Sequence, residues 1–305
     1  MEIKNKQRKP LAGMTLDDLR KVTADLGMPR FVATQLAQWI YGKRVNSFDE
    51  MRNISKANRE LLDKDYKVGL YAPASAQKSE DGTVKYLFKA GEEQAVESVY
   101  IPEDDRSTLC ISSQKGCRMN CYFCMTGHQG FHGQLTANQI INQVLSVPES
   151  ASLTNVVFMG MGEPCDNLDN VMKAIEILTA DWGLAWSPKR VTVSTVGLKP
   201  GLKKLVEETN VHIAVSVHNA VPEERMQMMP IERVYPIKEV LEMLGKYDFP
   251  HQRRLSIEYI MWQWFNDDIS HAEALREIIP DEHVRVNLIR YHMIPGIPKL
   301  RTSSD

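Results

Sequence analysis

The sequence predicts an α/β protein in which six parallel strands and their crossover helices follow a small helical module. Three observations point there. From about residue 105 onward, short β-type runs alternate with helical segments, which calls for parallel strands joined by crossovers. Residues 1–72 instead carry helix caps and helical apolar spacing. Within the alternating region, Cys117, Cys121 and Cys124 follow directly on its first strand, the end of a parallel barrel strand where chemistry is placed. The 305 residues suffice for one large α/β domain with a small appended one.

The first ten residues are polar and basic and are expected to fray. Thr15, followed by Leu16-Asp17-Asp18, reads as an N-cap with acidic residues in the first turn of a helix ending near Gly27. Pro29 opens a second helix that sets Phe31, Leu36, Trp39 and Ile40 at helical spacing and stops near Gly42. Ser55 caps a third, from Lys56 to about Lys67. Thr83–Lys89 and Ala95–Ile101 flank the turn segment 91–94 and predict a hairpin. The six strands are Thr108–Ser113, Asn155–Gly160, Arg190–Thr195, Val211–Val217, Leu255–Trp262 and Val284–Tyr291; segments 136–147, 168–180, 200–208, 236–247 and 268–279 are helical. The expected domains are therefore a small helical accessory module over 1–72, a hairpin linker over 73–104 and the barrel over 105–305.

Composition is that of a globular protein, with 25% charged and 43% hydrophobic residues. No apolar run is long enough to span a bilayer and the N-terminus is no signal peptide, so no membrane partner and a cytoplasmic location are expected. In that reducing compartment five cysteines need not form disulfides. The net charge of −2 hides an asymmetry: residues 1–72 hold 14 Lys/Arg against 9 Asp/Glu, and the remainder 23 against 30. A basic module beside an acidic body suggests nucleic-acid contact, with Lys43 and Arg44 as phosphate ligands; a solvated helical surface with Trp39 and Phe31 in its core is the plain alternative.

The C-x3-C-x2-C spacing of Cys117, Cys121 and Cys124 can hold three irons of a [4Fe-4S] cube and leave the fourth without a protein ligand. A Cys3His zinc site completed by His128 or His132 is the competing reading. Strand two ends in Gly160-Met161-Gly162-Glu163-Pro164, strand three in Ser194-Thr195 and strand four in Ser216-Val217-His218, which sets polar groups around one rim. Glu163 there can accept hydrogen bonds from an ammonium, or sit as a solvated turn residue. Glu97 could point into the site as a base or face solvent; Cys110 could be buried and inert. The Met-rich stretch 226–229 reads as core filling, and no role is assigned to Cys165.

The cysteine spacing resembles that of the radical S-adenosyl-L-methionine (SAM) superfamily, whose fold is an open (β/α)6 partial TIM barrel and whose open iron chelates SAM. More closely, Val96-Glu97-Ser98-Val99-Tyr100-Ile101-Pro102, Leu109 through Cys117, Phe158 through Pro164, Val193-Ser194-Thr195 and Val286-Asn287-Leu288-Ile289 resemble the RlmN family of radical SAM RNA methyltransferases, over nearly the whole chain. The resemblance implies methylation of carbon 2 of an adenosine in 23S rRNA and of the adenosine at position 37 of certain tRNAs. One SAM methylates a cysteine near the C-terminus; a second yields a radical that takes hydrogen from that methyl group, and the resulting methylene radical adds to the base. By the same resemblance Glu97 matches the proton acceptor, Cys110 the cysteine that resolves the protein–RNA adduct through a transient disulfide, and Gly162, Glu163, Ser194, Ser216, Val217 and His218 the SAM contacts.

Two departures accompany the resemblance. His292 stands where the family carries an asparagine that contacts SAM, and histidine can still offer one hydrogen bond. The sequence ends at Asp305, before the Ala-Ala-Cys-Gly-like segment with the methyl-carrying cysteine. The expectation is a truncated sequence that cleaves SAM without completing methyl transfer. An electron donor such as flavodoxin and a monomeric state are expected. A related radical SAM methylase acting on carbon 8, of the Cfr type, and a Cys/His zinc protein that holds RNA without chemistry remain as alternatives.

Overall fold

The computed structural model of the chain describes residues 8–249, 253–281, 283–294 and 300–303. The chain divides into two compact units: residues up to 111 with 135–156 and 169–187 form one, and residues 112–134, 157–168 and those from 188 onward form the other.

The first unit opens with α1 (Leu16–Asp25), started by a reciprocal cap in which Thr15 Oγ1 accepts the Asp18 N–H and the Asp18 carboxylate accepts the Thr15 N–H. Helix α2 (Phe31–Ala37) runs on through a π-turn over Gln38–Gly42, and α3 (Lys56–Asp65) is capped by Ser55. Val32, Leu36 and Ile40 recur every four residues and are buried, whereas Phe31 is 60% exposed and Trp39 half-buried, so the aromatic pair is not core. Helix α3 stops short of Lys67 because Tyr66–Lys67 pairs in parallel with Lys9–Pro10. That pairing, with the Leu11 N–H donated to the Lys67 carbonyl at 2.9 Å, anchors Lys9 and Pro10 at the end of the stretch expected to fray, whose residues 1–7 lie outside the described residues.

Strands β1 (Ser75–Lys78), β2 (Val84–Lys89), β3 (Ala95–Pro102) and β4 (Ser107–Cys110) form an antiparallel meander. In β2, Val84, Tyr86 and Phe88 are buried while Lys85 and Lys89 face solvent, the period-two pattern of a one-sided sheet. The hairpin expected around residues 91–94 is present; β1 is additional. Helices α4 (Ala137–Leu145) and α5 (Leu168–Thr179) hold the N-terminal helices. Asn138 Nδ2 donates to the Ala12 and Gly69 carbonyls, both at 2.9 Å, and Asn142, one turn on, bonds both the N–H and the carbonyl of Tyr71. Lys173 on α5 reaches Asp18 at 2.7 Å. Strand β5 (Asn155–Phe158) falls at the division between the units.

The second unit contains β6 (Val191–Thr195), α6 (Lys199–Glu208), β7 (His212–Ser216), α7 (Ile237–Leu244), β8 (Leu255–Met261), α8 (Ile269–Ile278) and β9 (Arg285–Arg290). The four strands are parallel neighbours in chain order, with Thr195 beside Val215, Val215 beside Ile257 and Ile257 beside Val286. Strand β7 buries its three central residues Ile213, Ala214 and Val215 in succession, the near-continuous apolar run of a strand covered on both faces. A short ribbon pairs Gln114–Gly116 with Phe131–Gln134 and carries the chain into the cysteine loop. The strand expected over Thr108–Ser113 ends at Cys110; before the ribbon begins, the Ser113 N–H donates to the Met161 carbonyl and Ser112 Oγ accepts the Met161 N–H. Met228 and Met229 are core, packed with Met119, Cys121 and Trp262.

Gly116 sits at φ +74°, and a Cβ there would lie 1.7 Å from the Gly130 carbonyl oxygen. Gly116→Ala should therefore lose at least about 1–3 kcal/mol of unfolding free energy in chemical denaturation. Gly42→Ala, whose Cβ would meet nothing within 4 Å, should stay within about 0.5 kcal/mol of the parent. Equal losses in the two variants would show that the ribbon's close approach does not constrain the fold.

Candidate active site

The loop from Cys117 to Cys124 is tied down at every turn. The Cys117 N–H donates to the Gly130 carbonyl at 3.0 Å, and the Tyr122 N–H to the Met228 carbonyl at 2.8 Å. Arg118 pairs with Asp166 at 2.9 Å and stacks on the Phe131 ring. Phe123, just before the last cysteine, meets His218 edge-on at 5.0 Å and Trp262 at 5.1 Å between ring centroids. The cysteine loop is thereby packed against the end of β7.

Cys117, Cys121 and Cys124 line one cavity of about 250 Å³ together with Gly162, Glu163, Ser194, Ser216 and His218. Glu258 and Met159 also line it, and neither was singled out by the sequence. Burial pushes the Cys117 thiol up to about 11 and that of Cys121 higher, so a thiolate here needs a cation bound to it. Among the described residues no three His, Cys, Asp or Glu side chains converge on a single metal position. A tetrahedral zinc ion needs that convergence; a cube that takes one thiolate per iron does not. His128 and His132 each give a ring nitrogen to a main-chain carbonyl, of Tyr122 and Gln129. The donor set fits the cube.

Glu163 is 2% exposed. Its Oε1 accepts from Thr195 Oγ1 at 2.6 Å and from the Cys165 N–H, and its Oε2 accepts the Val196 N–H. The carboxylate thus ties the turn after β5 to the end of β6, and burial raises its pKa. Gly162, at φ +100°, lets that turn close over Gln114, whose Cβ would lie 2.5 Å from an added methyl; Gln114 in turn accepts the Glu163 N–H and donates to Asp166. The hydroxyls of Ser194 and Ser216 have no hydrogen-bond partner among the described residues. His218 takes φ +57°, its Nδ1 accepts the Ile260 N–H at 3.1 Å, and the hydrogen of the neutral ring is therefore on Nε2.

Four of the expected residues do not line this cavity. The Val217 side chain is fully buried, and His292 is exposed and does not line the cavity. Glu97 and Cys110 belong to the first unit. Cys110 stands directly across from Val99, two residues beyond Glu97 on β3, so both side chains rise from the same face of the sheet. Lys85 Nζ lies 3.1 Å from Glu97 Oε1.

Sequence reasoning missed Arg225. Its guanidinium is fully buried and donates from Nε to the Val217 carbonyl at 3.0 Å and from Nη2 to the carbonyls of Ser216 and Val196 at 3.0 and 3.1 Å. Nη1 pairs with the buried Glu232, which also accepts the Ile237 N–H at the start of α7. Lying in Pro222-Glu223-Glu224-Arg225, it carries no local signal of burial. Arg225→Met should cost about 3–5 kcal/mol, because it strands a buried carboxylate, and the double variant Arg225→Met/Glu232→Gln should recover part of that loss in urea unfolding. Additive losses would mean the two charges are not coupled.

Burial, reinforced by Arg225, holds the His218 pKa down to about 3. The unfolded chain therefore binds a proton that the folded chain refuses between about pH 6.5 and 3, so stability falls as pH drops through that window, by up to about 1.4 kcal/mol per unit. His218→Gln should flatten the slope of unfolding free energy against pH in this range; an unchanged slope would show that His218 titrates normally.

Comparison with known proteins bears on the whole chain. A family model described as the Radical SAM superfamily matches residues 111–278, and one described as the ribosomal RNA large subunit methyltransferase N-terminal domain matches residues 9–68. The chain is 54% identical to a Parabacteroides distasonis protein named "Probable dual-specificity RNA methyltransferase RlmN", across 97% of this chain and 86% of that one. It is 39% identical to the Geobacter sulfurreducens "Dual-specificity RNA methyltransferase RlmN", across 97% of this chain and 82% of that one. A crystal structure of a radical SAM methyltransferase from Sphaerobacter thermophilus superposes with a TM-score of 0.89 at 33% identity, covering 97% of this chain and 89% of that one. The expected α/β partial-barrel fold is borne out, and the chain belongs to the RlmN family of radical SAM enzymes.

Proposed function

We propose that this chain is a radical SAM methyltransferase acting on carbon 2 of adenosine in 23S rRNA and tRNA. The observation that carries the reading is the shared cavity: three closely spaced thiols on one side, and the polar strand ends Gly162, Glu163, Ser194, Ser216 and His218 on the other. Cys117, Cys121 and Cys124 would hold the [4Fe-4S] cluster, and the strand ends SAM, with His292 and the main chain at Val217 as further contacts. Bound together, these groups supply a 5′-deoxyadenosyl radical.

The residues of the chain have separate tasks. The Ser194 and Ser216 hydroxyls and the Nε2–H of His218 offer hydrogen bonds to the polar edges of SAM. Glu163 holds two strand ends at a fixed spacing and keeps one side of its Oε2 available. Glu97 accepts the proton from carbon 2, and Cys110, on the same sheet face, resolves the protein–RNA adduct. Residues 1–72 bind RNA, with Lys43, stacked 3.6 Å above the Trp39 ring, and Arg44 on phosphates. A hairpin linker over 73–104 and a barrel over 105–305 complete this domain scheme. A flavodoxin-like electron donor, a monomeric state and a cytoplasmic location complete the reading; no helix among the described residues is long and apolar enough to cross a membrane.

Anaerobic reconstitution should give about four irons and four sulfides per chain, and reductant with SAM should release 5′-deoxyadenosine. Alanine at Cys117, Cys121 or Cys124 should abolish both. Nucleoside mass spectrometry of RNA treated with the full-length gene product should show 2-methyladenosine. Stoichiometric zinc without labile sulfide would sink the radical chemistry, and 8-methyladenosine would move the target atom.

A further inference from the structure

A second cavity, of about 410 Å³, lies at the amino-terminal ends of β8 and β9, with Arg253, Arg254 and Arg285 in its wall. It is remote from the active site within the same unit. Arg285 and Ile289 stand four residues apart on β9, roughly 13 Å along the strand, and Ile289 is the one that lines the active-site cavity.

Arg253 is built in place. Its Nε donates to the Val211 carbonyl at 3.1 Å and its Nη1 to the Val206 carbonyl at 3.0 Å, and the guanidinium packs 5.3 Å from the Phe249 ring. Its Nη2 is buried and has no acceptor among the described residues. A buried charged donor without a partner is costly, and native structures seldom leave one unexplained. Among the described residues the side chains of Arg254 and Arg285 have neither an ion pair nor a hydrogen bond. Asp248 and Asp281 also line the cavity, but neither pairs with these arginines among the described residues, and Asp281 Oδ1 accepts the His283 N–H. The neighbouring His212, whose Nδ1 accepts the Arg254 N–H, registers the resulting field. Burial, then Arg254, Arg253, Lys189 and Arg285, pull its pKa down to about 4.

We propose that this cavity is a phosphate-binding site, in which the free edge of Arg253 and the unpaired guanidinium groups of Arg254 and Arg285 converge on one phosphate group. Guanidinium forks match phosphate oxygens in geometry as well as charge. A polynucleotide backbone and free inorganic phosphate share that chemistry. The inference stands apart from methyl transfer and does not depend on it.

Calorimetric titration of the cluster-loaded protein with inorganic phosphate, at ionic strength matched with chloride, tests it. Saturable binding is expected, at least tenfold weaker in Arg254→Gln/Arg285→Gln and unchanged in Lys238→Gln, a surface lysine at the start of α7. SAM cleavage by the double variant should equal that of the parent, which keeps a failure here distinct from a failure of the catalytic reading. A short single-stranded RNA that displaces phosphate assigns the site to a polynucleotide; an RNA that leaves phosphate bound assigns it to the free anion. Absence of saturable phosphate binding by the parent, or equal binding by the double variant, overturns the proposal.

Discussion

The buried pair of Arg225 and Glu232 is the interaction on which the active-site rim depends. Strand ends in a parallel sheet leave carbonyl groups without ladder partners, and three of them, at Val196, Ser216 and Val217, meet inside the second unit. The guanidinium that meets them is fully buried. One planar cation with five donors can satisfy all three in a fixed plane, which a lysine could not do. Glu232 neutralises the charge and fastens it to the start of α7. Ser216 and His218 are thus aimed by a residue that need not touch a ligand.

Glu163 does the corresponding work between β5 and β6. A carboxylate at the rim of a cavity reads naturally as a ligand group, yet most of its lone pairs are engaged by Thr195, Cys165 and Val196. Both devices are ionic groups in a low-dielectric setting, where well-satisfied networks hold one geometry firmly and tolerate little substitution.

Much of this was legible in the sequence. The alternating runs located β6 to β9 and α6 to α8 to within a few residues, because parallel strands are apolar throughout and helices keep their amphipathic period. Thr15 and Ser55 marked helix starts because capping is local chemistry. The cysteine loop and the strand ends were found together because each follows a strand. What stayed hidden was long-range. Arg225 sits among charges that resemble a solvated helix turn, and only the fold reveals three carbonyls around it. The ribbon at 114–116 and 131–134 is too short for a periodic signal and is set by Gly116 meeting Gly130. Lys9 and Pro10 looked like tail because their partner lies more than fifty residues away.

The attachment of the N-terminal helices to α4 has a consequence for how such a protein can change. Asn138 and Asn142 hold Ala12, Gly69 and Tyr71 by main-chain atoms alone. A main-chain group is present whatever side chain is attached to it. The fastening demands glycine at positions 13 and 69, where a Cβ would lie 2.3 Å from the Asn138 nitrogen and 2.4 Å from Pro10, but sets no such condition on the residues the module displays outward. Its exposed face can drift, or be exchanged for that of another member, while the joint is retained. Surface display and anchorage are separable traits in this unit, each free to be selected without the other.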